Sequence, residues 1–191
     1  ALRREYAGLL ELESDDLPGR VCYALMETPT VELYPGSFLQ RACWVELRFV
    51  AQDPARWDLE PLLFGLSTTA RTPCPVGTET SDPTITIVGA CTNPAIVVRN
   101  ARGAEVSRTQ FAVTMAADDA LQLVCATEQI TRTVAGVVQT GAASGLAAYA
   151  SGPLPILAPE DGSVDGAVPP TVELVSASGT PTGTIEYRRR W

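Results

Sequence analysis

Residues 81–100, SDPTITIVGACTNPAIVVRN, decide the fold. Thr84, Thr86 and Val88 alternate with Ile85, Ile87 and Gly89, the period-2 spacing of a strand with one apolar face. Cys91-Thr92-Asn93-Pro94 interrupts the run, and Ala95 to Arg99 begins a second, β-branched one. The pattern predicts two strands joined at a corner. Ile85 and Ile87 face a core, Gly89 to Pro94 turn, and Ile96 to Val98 start the next wall.

The same rhythm recurs on either side. Strands are expected near 84–91, 95–99, 111–115, 120–126, 129–138, 171–177 and 183–190, with Leu121 and Leu123 among the core positions. Short strands at this spacing, cut by turn residues, point to a β-sandwich. With 191 residues, 46% of them hydrophobic, the chain can bury a real core. Its 15 glycines and 15 prolines, spread evenly, suit many short strands better than a helical bundle.

The N-terminal third reads differently. In ALRREYAGLLELESDD, Leu2, Tyr6, Leu9 and Leu10 fall at i, i+4, i+7 and i+8, one face of a helix. That helix has no Ser, Thr, Asp or Asn cap and carries Arg3 and Arg4 at its positive end, so residues before Ala1 are expected. RVCYALMET, VELYPGSF and RACWVELRFVAQDP follow. In the last, Cys43, Val45, Leu47 and Phe49 share one face and Trp44, Glu46 and Arg48 the other. Asp53-Pro54 should end this sheet, because proline has no N–H for the ladder. The fold expected is mainly β: a small α+β unit over 1–60, helix plus antiparallel strands, a polar connector over 61–82, and a sandwich over 83–191.

The chemistry is sparse. There is no histidine, and all 14 basic residues are arginine, against 22 acids and a net charge of −8. The commonest general base and metal ligand is therefore missing, and so is the lysine of a phosphate-binding loop. Ser144 has no histidine to activate it. Asp118-Asp119 and Glu160-Asp161 read as solvated turn carboxylates. SGLAAYASGP lacks the spacing of a dinucleotide loop and reads as an irregular edge. Neither a cofactor nor a metal is implied.

Cys22, Cys43, Cys74, Cys91 and Cys125 are odd in number and have no C-x-x-C spacing. They read as buried, reduced thiols rather than a disulfide framework of an oxidising compartment. No apolar run approaches about 18 residues, so neither a membrane span nor a membrane partner is expected. Arg188-Arg189-Arg190 could be an anion patch; the alternation Ile185, Tyr187, Arg189, Trp191 favours a closing strand, with Trp191 a core aromatic.

Taken in order, FVAQDPARWD, DPTITIVGACTNPAIVV, VTMAADDALQLVCATEQITRTVAG, LAPEDGSV and TGTIEYRRRW resemble the distal tail protein (Dit) family of long-tailed bacteriophages. Phe49, Asp53 and Pro54 fall where that family leaves its ring domain. Asn93 and Pro94 fall at its Thr-Asn-Pro turn, and Trp191 at its closing aromatic. Asp118 stands where the family has glycine, and Cys125 where aspartate is common.

The resemblance implies a galectin-like sandwich on a ring-forming unit, and a structural baseplate protein rather than an enzyme. It implies a hexameric homo-oligomer at the virion tail tip, made in the host cytoplasm, which joins the tail tube protein to hub or fibre proteins. Leu2, Tyr6, Leu9 and Trp44 would be subunit contacts, and DNA would pass the acidic lumen without specific binding. The other reading is a carbohydrate-binding module for host recognition. It would have to work with Phe111, Tyr149, Tyr187 and Trp191 as its stacking surface.

Overall fold

The computed structural model describes residues 3–6, 9–13, 19–26, 30–33, 43–51, 55–139, 150–159 and 169–191. Among them the regular structure is antiparallel β, with one 3-10 turn at Cys125–Thr127 and no α-helix. The chain divides into two compact units, Ala1–Leu59 and Glu60–Trp191.

The first unit holds β1 (Arg3–Tyr6), β2 (Leu9–Glu13), β3 (Arg20–Met26), β4 (Thr30–Leu33), β5 (Cys43–Glu46), β6 (Phe49–Ala51) and β7 (Trp57–Asp58). One sheet runs β1-β2-β3-β6, with β7 also on β3, while β4 and β5 pair by themselves. The expected N-terminal helix is replaced by the hairpin β1–β2, with Tyr6 opposite Leu9. Gly8 would have sat inside that helix, at a cost of about 1 kcal/mol relative to alanine. Leu10 and Leu12 alternate with Glu11 and Glu13 at the strand period, and cross-strand pairing takes precedence over a helical stripe.

Two further readings of this unit change. The run from Cys43 to Phe49 breaks at Leu47-Arg48, and Leu47 is exposed, so no single buried face extends from Cys43 to Phe49. The sheet also does not stop at Asp53-Pro54: β7 returns to β3, pairing Trp57 with Val21 and Asp58 with Arg20. Asp53 and Pro54 themselves lie outside the described residues.

The second unit starts with β8 (Leu62–Ser67) and β9 (Thr72–Pro73), inside the stretch expected to be a connector. Then come β10 (Thr84–Val88), β11 (Cys91–Thr92), β12 (Ala95–Arg99), β13 (Glu105–Phe111), β14 (Thr114–Met115) and β15 (Ala120–Val124). They are followed by β16 (Gln129–Val134), β17 (Val137–Gln139), β18 (Ala150–Ser151), β19 (Thr171–Val175), β20 (Ser178–Gly179) and β21 (Thr182–Tyr187). A six-stranded sheet, β17-β16-β15-β10-β21-β8, faces a five-stranded one, β18-β13-β12-β19-β9, and β14-β11-β20 form a small third sheet.

Register explains the core. Ile85 pairs with Leu123 and Ile185, Ile87 with Leu121 and Gly183, and on the other sheet Ile96 pairs with Leu174 and Val98 with Val172. These side chains, with Leu66, Cys74, Phe111, Leu157 and Tyr187, form one buried cluster between the sheets. Burying one such aliphatic side chain contributes roughly 1.5–3 kcal/mol.

Between β10 and β12 the chain crosses from one sheet to the other. Gly89 (φ 99°) and Asn93 (φ 49°) take the left-handed conformations that the corner requires, in which glycine is unstrained and asparagine is tolerated. Pro94 is buried beside them.

Several strand limits differ from the sequence pattern. The strand expected at 111–115 is instead β13, from Glu105 to Phe111, with a break before β14. Its inward residues are Ser107, Thr109 and Phe111, opposite Val98, Ile96 and the Pro94 carbonyl, so little apolar alternation reveals it. The run 129–138 is a hairpin turned at Ala135-Gly136, both at positive φ. The connector became strand because Leu62, Phe64 and Leu66 alternate inward, a period masked by the exposed Leu63 between them.

Ile87 tests the core. An uncompensated buried carboxylate costs about 3–5 kcal/mol, a large share of the ~5–15 kcal/mol that stabilises a domain. Ile87→Asp should therefore abolish the cooperative thermal transition of the second unit or lower it by roughly 10 °C or more, whereas Ile87→Val should cost only about 0.5–1.5 kcal/mol. Circular dichroism melts of the two variants make the comparison, and similar small shifts in both would place Ile87 outside a dry interior.

Candidate interaction surfaces

The two outward faces of the sandwich differ in chemistry. On the six-stranded sheet the rows Thr131-Gln122-Thr86-Thr184-Gly65 and Thr133-Ala120-Val88-Thr182-Ser67 are rich in hydroxyls and carry no charge, and the third row, Gln129-Val124-Thr84-Glu186-Leu63, holds one carboxylate. Val137, Val138 and Leu63, toward the two edges of that sheet, are well exposed. On the five-stranded sheet the solvent side carries Arg99, Arg108, Glu105 and Glu173 in paired register.

One ionic pair belongs to the interior. Arg132 lies opposite Leu121, on the core side of β16, and its Nη2 donates to Asp119 Oδ2 at 2.7 Å and to the Thr114 carbonyl at 3.0 Å. Asp119 is only 4% exposed and also accepts the Ala116 N–H at 3.2 Å. The hydrogen bond from Arg132, helped by that amide, holds the Asp119 carboxyl below its ordinary range in spite of burial. The reading of Asp118-Asp119 as two solvated turn carboxylates is corrected: Asp118 is exposed, but Asp119 fastens the β14–β15 turn to β16. The sequence signal was an arginine at an inward strand position, where a partner carboxylate is obligatory.

The C-terminal residues pack along the segment that follows β9. The Glu79 amide donates to the Arg190 carbonyl at 3.0 Å, and Tyr187 Oη donates to the Pro75 carbonyl at 2.7 Å. Arg189 lies 5.2 Å over the Trp191 ring, and Phe64 stacks on Tyr187 at 6.1 Å. Trp191 is therefore half-buried under an arginine rather than part of the core. A Cβ on Gly77 would run into the Arg190 carbonyl, so only glycine allows this approach.

Other expected positions separate. Ile85, Ile87, Leu121 and Leu123 are buried together, Pro94 is buried and Asn93 half-buried at the corner, and Phe49 is half-buried in the first unit. Tyr6 and Leu9 pair across β1–β2, and Trp44 pairs with Glu32 across β4–β5. Leu2, Ser144, Tyr149, Glu160 and Asp161 lie outside the described residues. Of the aromatics a sugar site would need, Phe111 and Tyr187 are inside the core.

Cys74, Cys91 and Cys125 are buried free thiols, and Cys22 is a half-buried one. Burial pushes Cys74 and Cys125 up to about 12, a hydrogen bond with Tyr187 opposing the shift at Cys74 and the Asp82 charge adding to it at Cys125. Among the described residues no cluster of three or more His, Cys, Asp or Glu could hold a metal ion, and no helix is long and apolar enough to cross a membrane.

A two-sheet antiparallel sandwich preceded in the chain by a separate strand-built unit is the class this chain falls into. Its fold is similar to that of the Dit protein of phage SPP1, described as a paradigm of the hub adsorption apparatus in phages infecting Gram-positive bacteria. The likeness covers 98% of this chain and 67% of that one, at 18% identity and a TM-score of 0.66. A chain of the phage P2 baseplate, in its activated conformation with Ca, is similar over 95% of this chain and 67% of that one, at 9% identity and a TM-score of 0.46. No family model and no curated protein matches the sequence.

Two variants probe these contacts. Because the Asp119 carboxyl titrates lower folded than unfolded, its contribution is present above the ordinary carboxylate range and is lost as pH falls through it. Asp119→Asn should be less stable than wild type in urea at neutral pH, and the gap should close in acid. A gap independent of pH would deny the charge its role. Gly77→Ala should cost about 1–3 kcal/mol by overpacking and speed hydrogen exchange at the Glu79 amide, while exchange in β10 and β15 stays slow.

Proposed function

We propose that this chain is a structural component of a phage tail tip, a distal tail protein whose work is done by interfaces. The observation that carries the reading is the shared fold with SPP1 Dit along 98% of the chain, at a TM-score of 0.66. The strand, corner and hairpin order that resembles the family in sequence supports it independently.

In this reading Ala1–Leu59 builds a homo-oligomeric ring, a hexamer by analogy with the family, and the sandwich, galectin-like in this proposal, points outward as an attachment site. Among the described residues β1 forms one edge of the first sheet and β6 with β7 the other, so strand edges could serve as ring contacts beside the proposed contact residues Tyr6, Leu9 and Trp44. A closed ring uses two different faces on each copy. The ring would join the tail tube protein to hub or fibre proteins in the virion. A net charge of −8 suits a lumen through which DNA slides without being held. The core positions of Phe111 and Tyr187 count against a sugar platform, and among the described residues no cluster of His, Cys, Asp or Glu supports the enzyme reading.

The test is the mass of the purified chain by light scattering, followed by image classes of intact particles stained with an antibody to the sandwich. The expected result is a ring of copies and label at the tail tip. A monomer at every concentration that binds host wall polysaccharide saturably would replace this reading with the carbohydrate-binding one.

A further inference from the structure

The outer face of the five-stranded sheet concentrates guanidinium groups in a chain whose net charge is −8. Arg108 on β13, Arg99 on β12 and Arg71, the residue before β9, follow one another across the sheet, with Glu173 of β19 between the last two. Arg99 Nε donates to Glu173 Oε2 at 2.9 Å, and Arg71 Nε lies 3.6 Å from the same oxygen. Arg108 donates twice to Glu105, from Nε at 2.8 Å and from Nη2 at 2.9 Å, and Arg99 Nη2 lies 3.7 Å from that carboxylate. Arg102 stands exposed in the β12–β13 turn, outside these pairs. Four guanidiniums against two carboxylates leave this one face positive.

The surplus gathers at a turn that is itself fixed. Asn100 Oδ1 accepts the amides of Arg102 and Ala104, and the Gly103 amide closes on the Asn100 carbonyl. Arg99 Nη1 donates to the Gly103 carbonyl at 3.4 Å. A Cβ on Gly103 would lie 3.8 Å from Arg71 Nη1, so a second guanidinium flanks the same turn and Arg102 a third. A guanidinium has five N–H donors, more than these pairs occupy, and the side chains of Arg71 and Arg108 are 51% and 41% exposed. Held in this way, they meet a further anion at little added cost in entropy.

We propose that this face binds a linear phosphodiester polymer, recognised through its charged backbone. The arginines span four neighbouring strands, β13, β12, β19 and β9, about 14 Å at the usual strand spacing, on an open sheet surface. One phosphate group is too small to engage them together, whereas a chain lying across the strands presents a phosphate to each in turn. Guanidinium forks match the paired free oxygens of a phosphodiester. A protein partner would need an apolar centre depleted of charge, and on these strands Val106 is the only exposed large hydrophobic side chain. A single-stranded nucleic acid would draw on stacking of its bases, and the one aromatic ring of these strands, Phe111, is turned into the core. Glu105 and Glu173 hold the guanidiniums in place and also compete with the ligand, which keeps the affinity modest and sensitive to salt. The site lies wholly within Glu60–Trp191 and requires nothing of a ring.

The full-length chain would be titrated with poly(glycerol phosphate) by calorimetry at about 50 mM and about 500 mM salt, with thermal melts to confirm that each variant folds. Saturable binding is expected at low salt, weakened about a hundredfold at high salt, as roughly three neutralised phosphates require. Arg71→Ser/Arg102→Ser should lose about tenfold in affinity and show a shallower salt dependence. Glu173→Gln, which removes a competing anion and no donor, should bind a few-fold tighter, a gain that an ion-pair network of purely structural role would not produce. Absence of binding by wild type, or equal binding by wild type and the double arginine variant, overturns the proposal. Dextran or polyglutamate binding as well as the phosphate polymer, or oligodeoxythymidylate binding better, reassigns the face to neutral hydroxyls, to carboxylates or to nucleic acid and overturns it too. The ring reading is judged separately, by the mass of the chain, and stands or falls whatever these titrations give.

Discussion

The second unit depends on one constraint: residues two apart along β10 must fall on the same dry face, and so must their partners across the ladder. Ile85 and Ile87 meet Leu121, Leu123 and Ile185 through register, and the opposite wall supplies Ile96, Val98, Val172 and Leu174. A slip of one residue would turn threonines inward and isoleucines to water. The corner at Gly89 to Pro94 serves the same end, because it lets one continuous segment contribute to both walls.

Around that core the polar groups mark where the sandwich closes. Asp119 with Arg132 secures the rim near β14, and Thr109 donates to the Pro153 carbonyl at 2.6 Å, tying β13 to the segment after β18. Tyr187 does the same for the segment after β9. Each is a buried polar group that finds a partner from a different part of the chain, so each adds registry as well as energy. Ser81 and Ser107 differ: the Ser81 backbone bridges Leu157 in both directions, while the buried hydroxyls of both residues meet no hydrogen-bond partner among the described residues.

Much of this was legible where the apolar period was clean. TITIV, AIVVR, ALQLV and TVELV each show it, and the corner between the first two could be read from Gly89 and Asn93-Pro94. β13 was hidden because Arg and Glu cover its outer side and hydroxyls line much of its inner side, so no hydrophobic rhythm remained. β8 was hidden for the opposite reason, since leucines point both ways. The N-terminal hairpin was misread because Leu2, Tyr6, Leu9 and Leu10 satisfy a helical spacing by coincidence. Only pairing between distant residues decides such a case. The arginine cluster was illegible for the same reason, since ion pairs form between elements, and of the Asp119–Arg132 pair only the inward strand position of Arg132 could be read, not its partner.

The neighbours β8 and β21 give the sandwich one further property. Leu62 pairs with Tyr187, so the strand by which the chain enters this unit lies beside the strand by which it leaves. Entry and exit share one pole, and the body between them is a cassette that could be exchanged in evolution or by design without rethreading its surroundings. Mechanical load arriving through Leu62 is shared along six register pairs of a single ladder before it reaches the core.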